Sequence, residues 1–299
     1  MTQAARTILK TMLPDPVRTL LRRSIHYAGR LRQWAAIARV LRGAGRRDRA
    51  ILRRALLAAP ITSLSGLDRW HHPTTDEDVV VDVAAVGRFR LRANSDDLYH
   101  VLPHREPAVL EAIKRLLRPG DVFLDAGANV GFYTVLASRI VGSAGHVVAI
   151  EMMPDTAALL RQHVRMNGLH NVTVVERALS DVGGEIATAT VAEGEFGQAS
   201  VSTDIASPGR RAVEVETTTL AAVIADLGNV RLMKMDVEGV EERALRGAGE
   251  GVARIEHVIF EKWSDAASAG VVLEKTHEVR RLDGRNSLAS RAPGADTAP

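Results

Sequence analysis

The stretch "DVFLDAGANVGFYTVLA", from Asp121 to Ala137, constrains the fold of this 299-residue chain more than any other. A short apolar run comes first. A break follows with glycines at Gly127 and Gly131, and then a second apolar run with helix-forming residues. Strand, glycine turn and helix is how a doubly wound α/β domain receives a nucleotide-like ligand at the carboxyl edge of its sheet. The same rhythm continues downstream. "GHVVAIE" reads as a second strand, followed by the helix "PDTAALLRQHVRMNG" with Pro154 early and Asn167–Gly168 at its end. "NVTVVERAL" reads as a third strand, "VRLMKMD" as a fourth, "ARIEHVIFEKW" as a fifth and "HEVRRLDG" as a sixth. The helices "TTTLAAVIADLG", "GVEERALRGAG" and "SAGVVLEKT" lie between them, and from Asp181 to Glu216 the pattern loosens into Gly-, Ser- and Thr-rich pieces. Such alternation predicts an α/β domain with a mainly parallel, Rossmann-like sheet and helices on both faces.

The glycine turn departs from the dinucleotide fingerprint. G-x-G-x-x-G seats a pyrophosphate on the N–H groups at a helix start. Here Asn129 stands where the middle glycine would be, and Asp125 precedes the turn. A carboxylate repels pyrophosphate and attracts an ammonium or sulfonium group. Glu151 closes the second strand 20 residues beyond Gly131, where a carboxylate can accept both hydroxyls of a ribose. Ribose plus a cationic amino-acid tail describes S-adenosylmethionine. The plainer reading is that the glycines only make a turn and that Asp125 only caps a helix. The joint presence of Glu151 and the ordered strands argues against it.

Charge divides the chain. Residues 1–54 hold fourteen Lys and Arg against Asp15 and Asp48 alone, a net +12, so the remainder carries −9. The basic excess therefore belongs to an N-terminal arm, and an acidic body gives no reason to expect nucleic acid as a partner. Apolar residues from Val17 to Leu41 keep approximate i, i+3, i+4 spacing between arginines, so the arm is predicted helical. Such helices pack on the body or on a second subunit, the favoured reading, or lie on an anionic membrane. No apolar run reaches the length needed to span a bilayer, and no continuous apolar segment follows Met1, so no signal is expected. With no cysteine, disulfides and thiolate metal sites are excluded. A cytoplasmic location, with peripheral membrane contact as an option, is the expectation.

The domain division expected is a basic helical arm and linker over 1–75, an α/β domain over 76–290, and a disordered tail over 291–299. Within 76–290, a hairpin around Gly87 and the helix "REPAVLEAIKRLLRPGD" occupy 76–120, and the core occupies 121–290. Leu110, Ile113, Leu116 and Leu117 form that helix's apolar stripe. His71–His72 fall in the polar linker and are expected to be solvated.

"DAGANVGFYT" resembles the D-x-G-A-N-x-G-x-Y-T signature of the FkbM-type S-adenosylmethionine-dependent methyltransferases. "NVTVVERALSD", "TTTL", "MKMDVEGVE" and "VIFEKW" follow in that family's order, so the resemblance covers about residues 78–289. It implies a class I methyltransferase fold, with the last strand, around "NSLA", inserted antiparallel. It also implies O-methylation, commonly on sugar or polyketide hydroxyls. By motif position Asp125, Gly127, Asn129, Gly131 and Glu151 bind the cofactor, with Phe132, Tyr133 and Thr134 opening the helix beside it. Ala178 and Asp181 fall near the adenine edge. Three departures stand out: "EMMP" delays the proline after Glu151, Ala221 replaces an aspartate, and Lys262-Trp263 replaces x-His after Glu261.

At the other end, "KMDVEGVEE" places Lys234, Asp236 and Glu238 where the fourth strand meets its helix. Strand alternation puts Lys234 and Asp236 on one face, favouring the ionised form of both. Methyl transfer is an in-line displacement on an activated donor, so alignment and removal of the acceptor's proton remain for the protein. Asp236 is the first candidate for base or acceptor-orienting group, with Glu238 and Glu261 next and Lys234 holding Asp236. Asp236, Glu238 and Glu261 could instead hold a divalent cation, though nothing in their spacing demands a metal. Glu241 and Glu242 are read as dipole-favoured carboxylates of a helix start. The function expected is carboxylate-assisted O-methylation of a sugar, glycolipid or secondary-metabolite hydroxyl, with a small molecule or glycan as acceptor. The alternatives are an NAD(P)-dependent oxidoreductase and a non-catalytic docking protein that keeps a vestigial cofactor site.

Overall fold

The computed structural model describes residues 14–68, 71–201, 209–261 and 269–291. Residues 1–13 of the arm, the Lys262-Trp263 departure and the tail from 292 lie outside them. The chain forms two compact units, one of residues 1–84 and 91–102, the other of residues 85–90 and 103–299.

The first unit begins with α1 (Asp15–Val40), β1 (Leu41–Gly43) and α2 (Arg46–Thr62). The predicted break at "RGAGRRDR" is thus filled by a short strand. Gly43 is needed there because a Cβ would run into the backbone of Asp48 and Arg49. The buried Arg30 guanidinium ties α1 to the turn after α2 by donating to the carbonyls of Ser63, Ser65 and Gly66. β1 pairs antiparallel with β2 (Val79–Val83), Leu41 opposite Val83. After β3 (Gly87–Leu91), whose residues 87–90 belong to the second unit, α3 (Asp97–His100) follows. Asp97, fully buried, takes a two-pronged bond from Arg92 at 2.6 and 2.8 Å. His72 is not solvated as expected: its ring packs on Tyr99, centroids 4.2 Å apart.

The second unit continues with α4 (Pro107–Leu116), β4 (Val122–Ala126), α5 (Phe132–Val141), β5 (His146–Ile150), α6 (Pro154–Met166) and β6 (Val172–Val175). Next come β7 (Ala178–Ser180), β8 (Ile186–Ala192), β9 (Ser200–Val201), β10 (Arg210–Thr219), α7 (Leu220–Ile224), β11 (Val230–Met235) and α8 (Glu241–Arg246). The unit closes with β12 (Ile255–Glu261), α9 (Ala269–Leu273), β13 (His277–Arg281) and β14 (Asn286–Arg291).

Seven strands build the main sheet in the order β13-β14-β12-β11-β4-β5-β6. The pairs from β12 through β6 are parallel, and β14 is antiparallel to both β12 and β13. The order reverses beside β4, where β11 and β5 flank it, and a crevice for ligand opens at such a point. Central strands are mostly apolar because helices cover both faces: Leu124, Val148, Met233 and Val258 are all buried, with Asp125 and Lys234 as buried exceptions.

Three local expectations need correction. The predicted third strand is two, since β6 ends at Val175 and β7 leaves the main sheet to pair in parallel with β10. The loose region holds a second, four-stranded sheet, β7-β10-β8-β9, whose long antiparallel pairing runs from Arg210 opposite Ala192 to Glu216 opposite Ile186. Met153, Ala178, Ala189, Val191 and Val215 form its core. In α4 the buried face is Val109, Ala112 and Ile113, continued by Leu117, while Leu110 and Leu116 are half-buried.

Candidate active site

The glycine turn joins β4 to α5, and the backbone holds it. The N–H groups of Gly127 and Ala128 both donate to the Ile150 carbonyl, at 3.0 and 2.9 Å, pinning the turn to β5. Gly127, Asn129 and Gly131 all adopt positive φ, of 79°, 49° and 85°. The left-handed region suits glycine and is tolerated by asparagine, which explains this residue choice. A Cβ on Gly127 would collide with the Asp236 carbonyl, and one on Gly131 with the Leu160 side chain. Gly127 therefore serves a close approach of β4's end to β11's end. The Asp236 N–H seals that approach by donating to the Ala126 carbonyl at 2.9 Å. His163 of α6, fully buried, donates from Nδ1 to the Val130 carbonyl at 2.7 Å and accepts the Arg90 N–H on Nε2.

Glu151 follows β5 and stands at the turn. Its two carboxylate oxygens accept the N–H groups of Asn129 and Met153, each at 2.9 Å. That fixes the carboxylate at the turn. Asp125, 1% exposed, accepts the Thr134 hydroxyl on Oδ2 at 2.6 Å. Burial pushes its carboxyl up, opposed by the nearby Lys234 charge. Asp125 Oδ1 and Asn129 Oδ1 are buried and have no hydrogen-bond partner among the described residues. An unpaired buried acceptor is costly, so two at one turn imply a donor-bearing ligand. These residues fit S-adenosylmethionine: spare acceptors for a cationic tail and a fixed carboxylate for ribose hydroxyls.

The other half of the site gathers at the end of β11. Lys234 lies opposite Asp125 in register, and its Nζ is 3.0 Å from Asp236 Oδ2. Burial pulls the Lys234 ammonium down, but Asp236, Glu106 and Asp125 together leave it raised. It also lies 5.3 Å from the centre of the Tyr133 ring. Tyr133 donates to Glu106 Oε2 at 3.0 Å, and Glu106 is bound in turn by Arg105. Glu238 sits in the turn after β11 with φ of 51°, a strained conformation for a residue with a Cβ. Its pKa is pushed up to about 7 by burial and then by the charges of Asp236, Glu261 and Glu241. Glu261, ending β12, is raised by burial and by Asp236. Asp236, Glu238, Glu261 and Lys234 thus act on one another electrostatically. Glu106 was missed, because a lone carboxylate before an amphipathic helix gives no spacing signal. Among the described residues, no three His, Asp or Glu are arranged to hold a metal ion.

The other predicted residues have these surroundings. Phe132 packs on Phe89, centroids 6.4 Å apart, and Thr134 is spent on Asp125. Ala178 is buried in the second sheet. Asp181 is exposed, and Arg243 of α8 binds its carboxylate at 2.9 Å, holding it below the usual carboxylate range. Glu241 accepts the Gly239 N–H and Glu242 pairs with Arg246, the helix-start roles expected for them.

A parallel sheet with one antiparallel strand set between its last two, and a glycine turn facing a carboxylate at the next strand's end, defines a class I S-adenosylmethionine-dependent methyltransferase. Residues 125–286, more than half of the chain, match the family described as Methyltransferase FkbM domain, and the chain belongs to that family. It is similar to the protein-L-isoaspartate O-methyltransferase of Ignicoccus hospitalis, 36% identical over 73 residues, covering 24% of this chain and 34% of that one. It is also similar to the probable cobalt-precorrin-6B C(15)-methyltransferase (decarboxylating) of Sulfolobus acidocaldarius, 38% identical over 77 residues, covering 26% of this chain and 40% of that one. A solved O-methyltransferase of Thermotoga maritima aligns with a TM-score of 0.41 at 13% identity, over 73% of this chain and 79% of that one. The chain spans about a third of the length of the first of these curated relatives. No described helix is long and apolar enough to cross a membrane.

Proposed function

We propose that this protein is an O-methyltransferase acting on a hydroxyl group of a sugar, glycolipid or secondary metabolite. The observation that carries this reading is the Lys234–Asp236 pair, Nζ to Oδ2 3.0 Å, joined by backbone to the cofactor turn through the Asp236 N–H and Ala126 carbonyl. When bound, S-adenosylmethionine supplies a methyl group already activated on a sulfonium. What remains is to hold the acceptor oxygen in line and to take its proton. Lys234 keeps Asp236 ionised and oriented, and Asp236 accepts the hydrogen bond of the acceptor hydroxyl. Glu238, with a pKa near 7, is matched to receive that proton at neutral pH. Glu261 adds negative charge that sustains the high pKa of Glu238. Asp125 beside the turn disfavours the pyrophosphate of a nicotinamide cofactor.

Methyl-labelled S-adenosylmethionine, incubated with a panel of hydroxyl-bearing sugars, glycolipids and polyketide alcohols, tests the reading. Label should enter an acceptor as a methyl ether that survives mild base. Label released by base as methanol would mean a carboxyl ester and would overturn the hydroxyl acceptor.

A further inference from the structure

The helices of the first unit present outward faces that the methyl-transfer chemistry does not use. On α1, Val17, Leu21, Ile25, Arg32 and Arg39 recur at four and seven residues, so they share one stripe. Leu20 flanks it and is 67% exposed. The buried residues Arg30, Trp34 and Ile37 occupy the opposite side. On α2, Arg46, Arg53, Leu57 and Ile61 share a stripe in the same way, while Ile51 and Ala59 are buried on the other side. Leu57 is 70% exposed and Ile61 76%. Leu64, in the turn that follows, is exposed too.

Each stripe has an apolar end and a basic end. The end of α2 and the turn after it meet the middle of α1: Tyr27 donates to the Pro60 carbonyl, Arg30 to that of Ser63, and the His26 ring bonds that of Leu67. The apolar end of α2, with Leu57 and Ile61, therefore lies beside the middle of α1, next to Ile25. Between Pro16 and Leu67 the sole acidic residue is Asp48, whose two oxygens are taken by the N–H groups of Gly45 and Val80. Arg47 and Arg54 point elsewhere, to Glu77 and Asp76. Arg22, Arg32, Arg39, Arg46 and Arg53 are exposed and form no ion pair among the described residues.

We infer that the outward faces of α1 and α2 dock this protein on an anionic phospholipid bilayer. Exposed leucine and isoleucine side chains enter the boundary between headgroups and acyl chains, while the arginines meet the phosphates. Charge decides between occupants. A two-fold contact of this face with a second copy would set arginine against arginine. A bilayer of anionic lipid supplies the missing negative charge and apolar depth together.

Flotation of the full chain with vesicles tests this, using phosphatidylcholine alone or with about 30% phosphatidylglycerol. The protein should float with the anionic vesicles and not with phosphatidylcholine alone. The triple variant Leu21→Ser, Leu57→Ser, Ile61→Ser should lose at least about tenfold in partitioning, and so should Arg22→Glu, Arg46→Glu, Arg53→Glu. All six positions are exposed, and an unchanged Tm with unchanged S-adenosylhomocysteine binding separates lost docking from lost folding or a failed cofactor site. Equal flotation of wild type and both variants would overturn the inference. So would a wild type that ignores both vesicles and sediments as a dimer that the same substitutions dissociate.

Discussion

The two halves of the site are held by different means. At the end of β4 the backbone does the holding: three positive-φ residues, two N–H groups on the Ile150 carbonyl, and Glu151 locked by two more N–H groups. At the end of β11 the holding is electrostatic, and it draws on α4, α5, β11, its turn and β12 at once. The first half is built for one ligand shape. The second concentrates negative charge around a single buried ammonium, so its proton affinities, rather than its shape, set what it can do. Beyond the β4–β11 ladder, a backbone link between them is the approach that Gly127 permits, sealed by the Asp236 N–H.

Substitutions that break one half and spare the other sharpen this contrast. Asp236→Asn removes charge and leaves the backbone intact. It should lower kcat by about 10²–10⁴-fold, with S-adenosylmethionine affinity nearly unchanged by calorimetry. Equal kcat would remove Asp236 from the chemistry. Gly127→Val strikes the link itself, since φ of 79° and the Asp236 carbonyl both oppose a side chain. It should cost about 3 kcal/mol by denaturant unfolding and weaken cofactor binding along with the rate. Gly131→Ala carries a similar φ penalty but meets the side chain of buried Leu160 rather than backbone, and should cost less; the reverse ranking would contradict the assigned roles.

Smaller effects follow from Glu238. A carboxyl raised from 4.5 to about 7 in the folded protein binds its proton more tightly there than when unfolded. That contribution to stability is fully present below about pH 4.5 and is lost as pH rises through about 7. Glu238→Gln should therefore raise Tm by a few degrees at pH 8, with the gain vanishing in acid. In the wild type, kcat/KM should rise with pH through about 7 and level off, and the glutamine variant should lose that limb. A Tm gain that is independent of pH would deny Glu238 its raised proton affinity.

The same contrast explains what could be read in the sequence. Residue types with strong backbone preferences announced the turn, and alternating patterns announced the parallel strands of the main sheet, while the antiparallel β14 was implied only by the family resemblance. Side-chain convergence over long distances did not show: Glu106 reaches Tyr133 from 27 positions away, with no spacing rule to flag it. The second sheet was missed for another reason. "RRAVEVETTT" does alternate, with Val215 and Thr217 inward and Glu214 and Glu216 outward, but its partner "IATATVA" mixes Ala and Thr, whose weak apolar contrast blurs the period. Asp181 looked like a ligand-edge residue by motif position alone. Arg243, 62 residues later, claims it, and no local pattern anticipates that partner.

Binding of S-adenosylhomocysteine, measured by calorimetry beside NAD in wild type and in Glu151→Ala, tests the central claim most directly. The account predicts that wild type binds S-adenosylhomocysteine and not NAD, and that Glu151→Ala weakens that binding by about 1–3 kcal/mol. Tighter binding of NAD, or S-adenosylhomocysteine binding that is indifferent to Glu151, would contradict it.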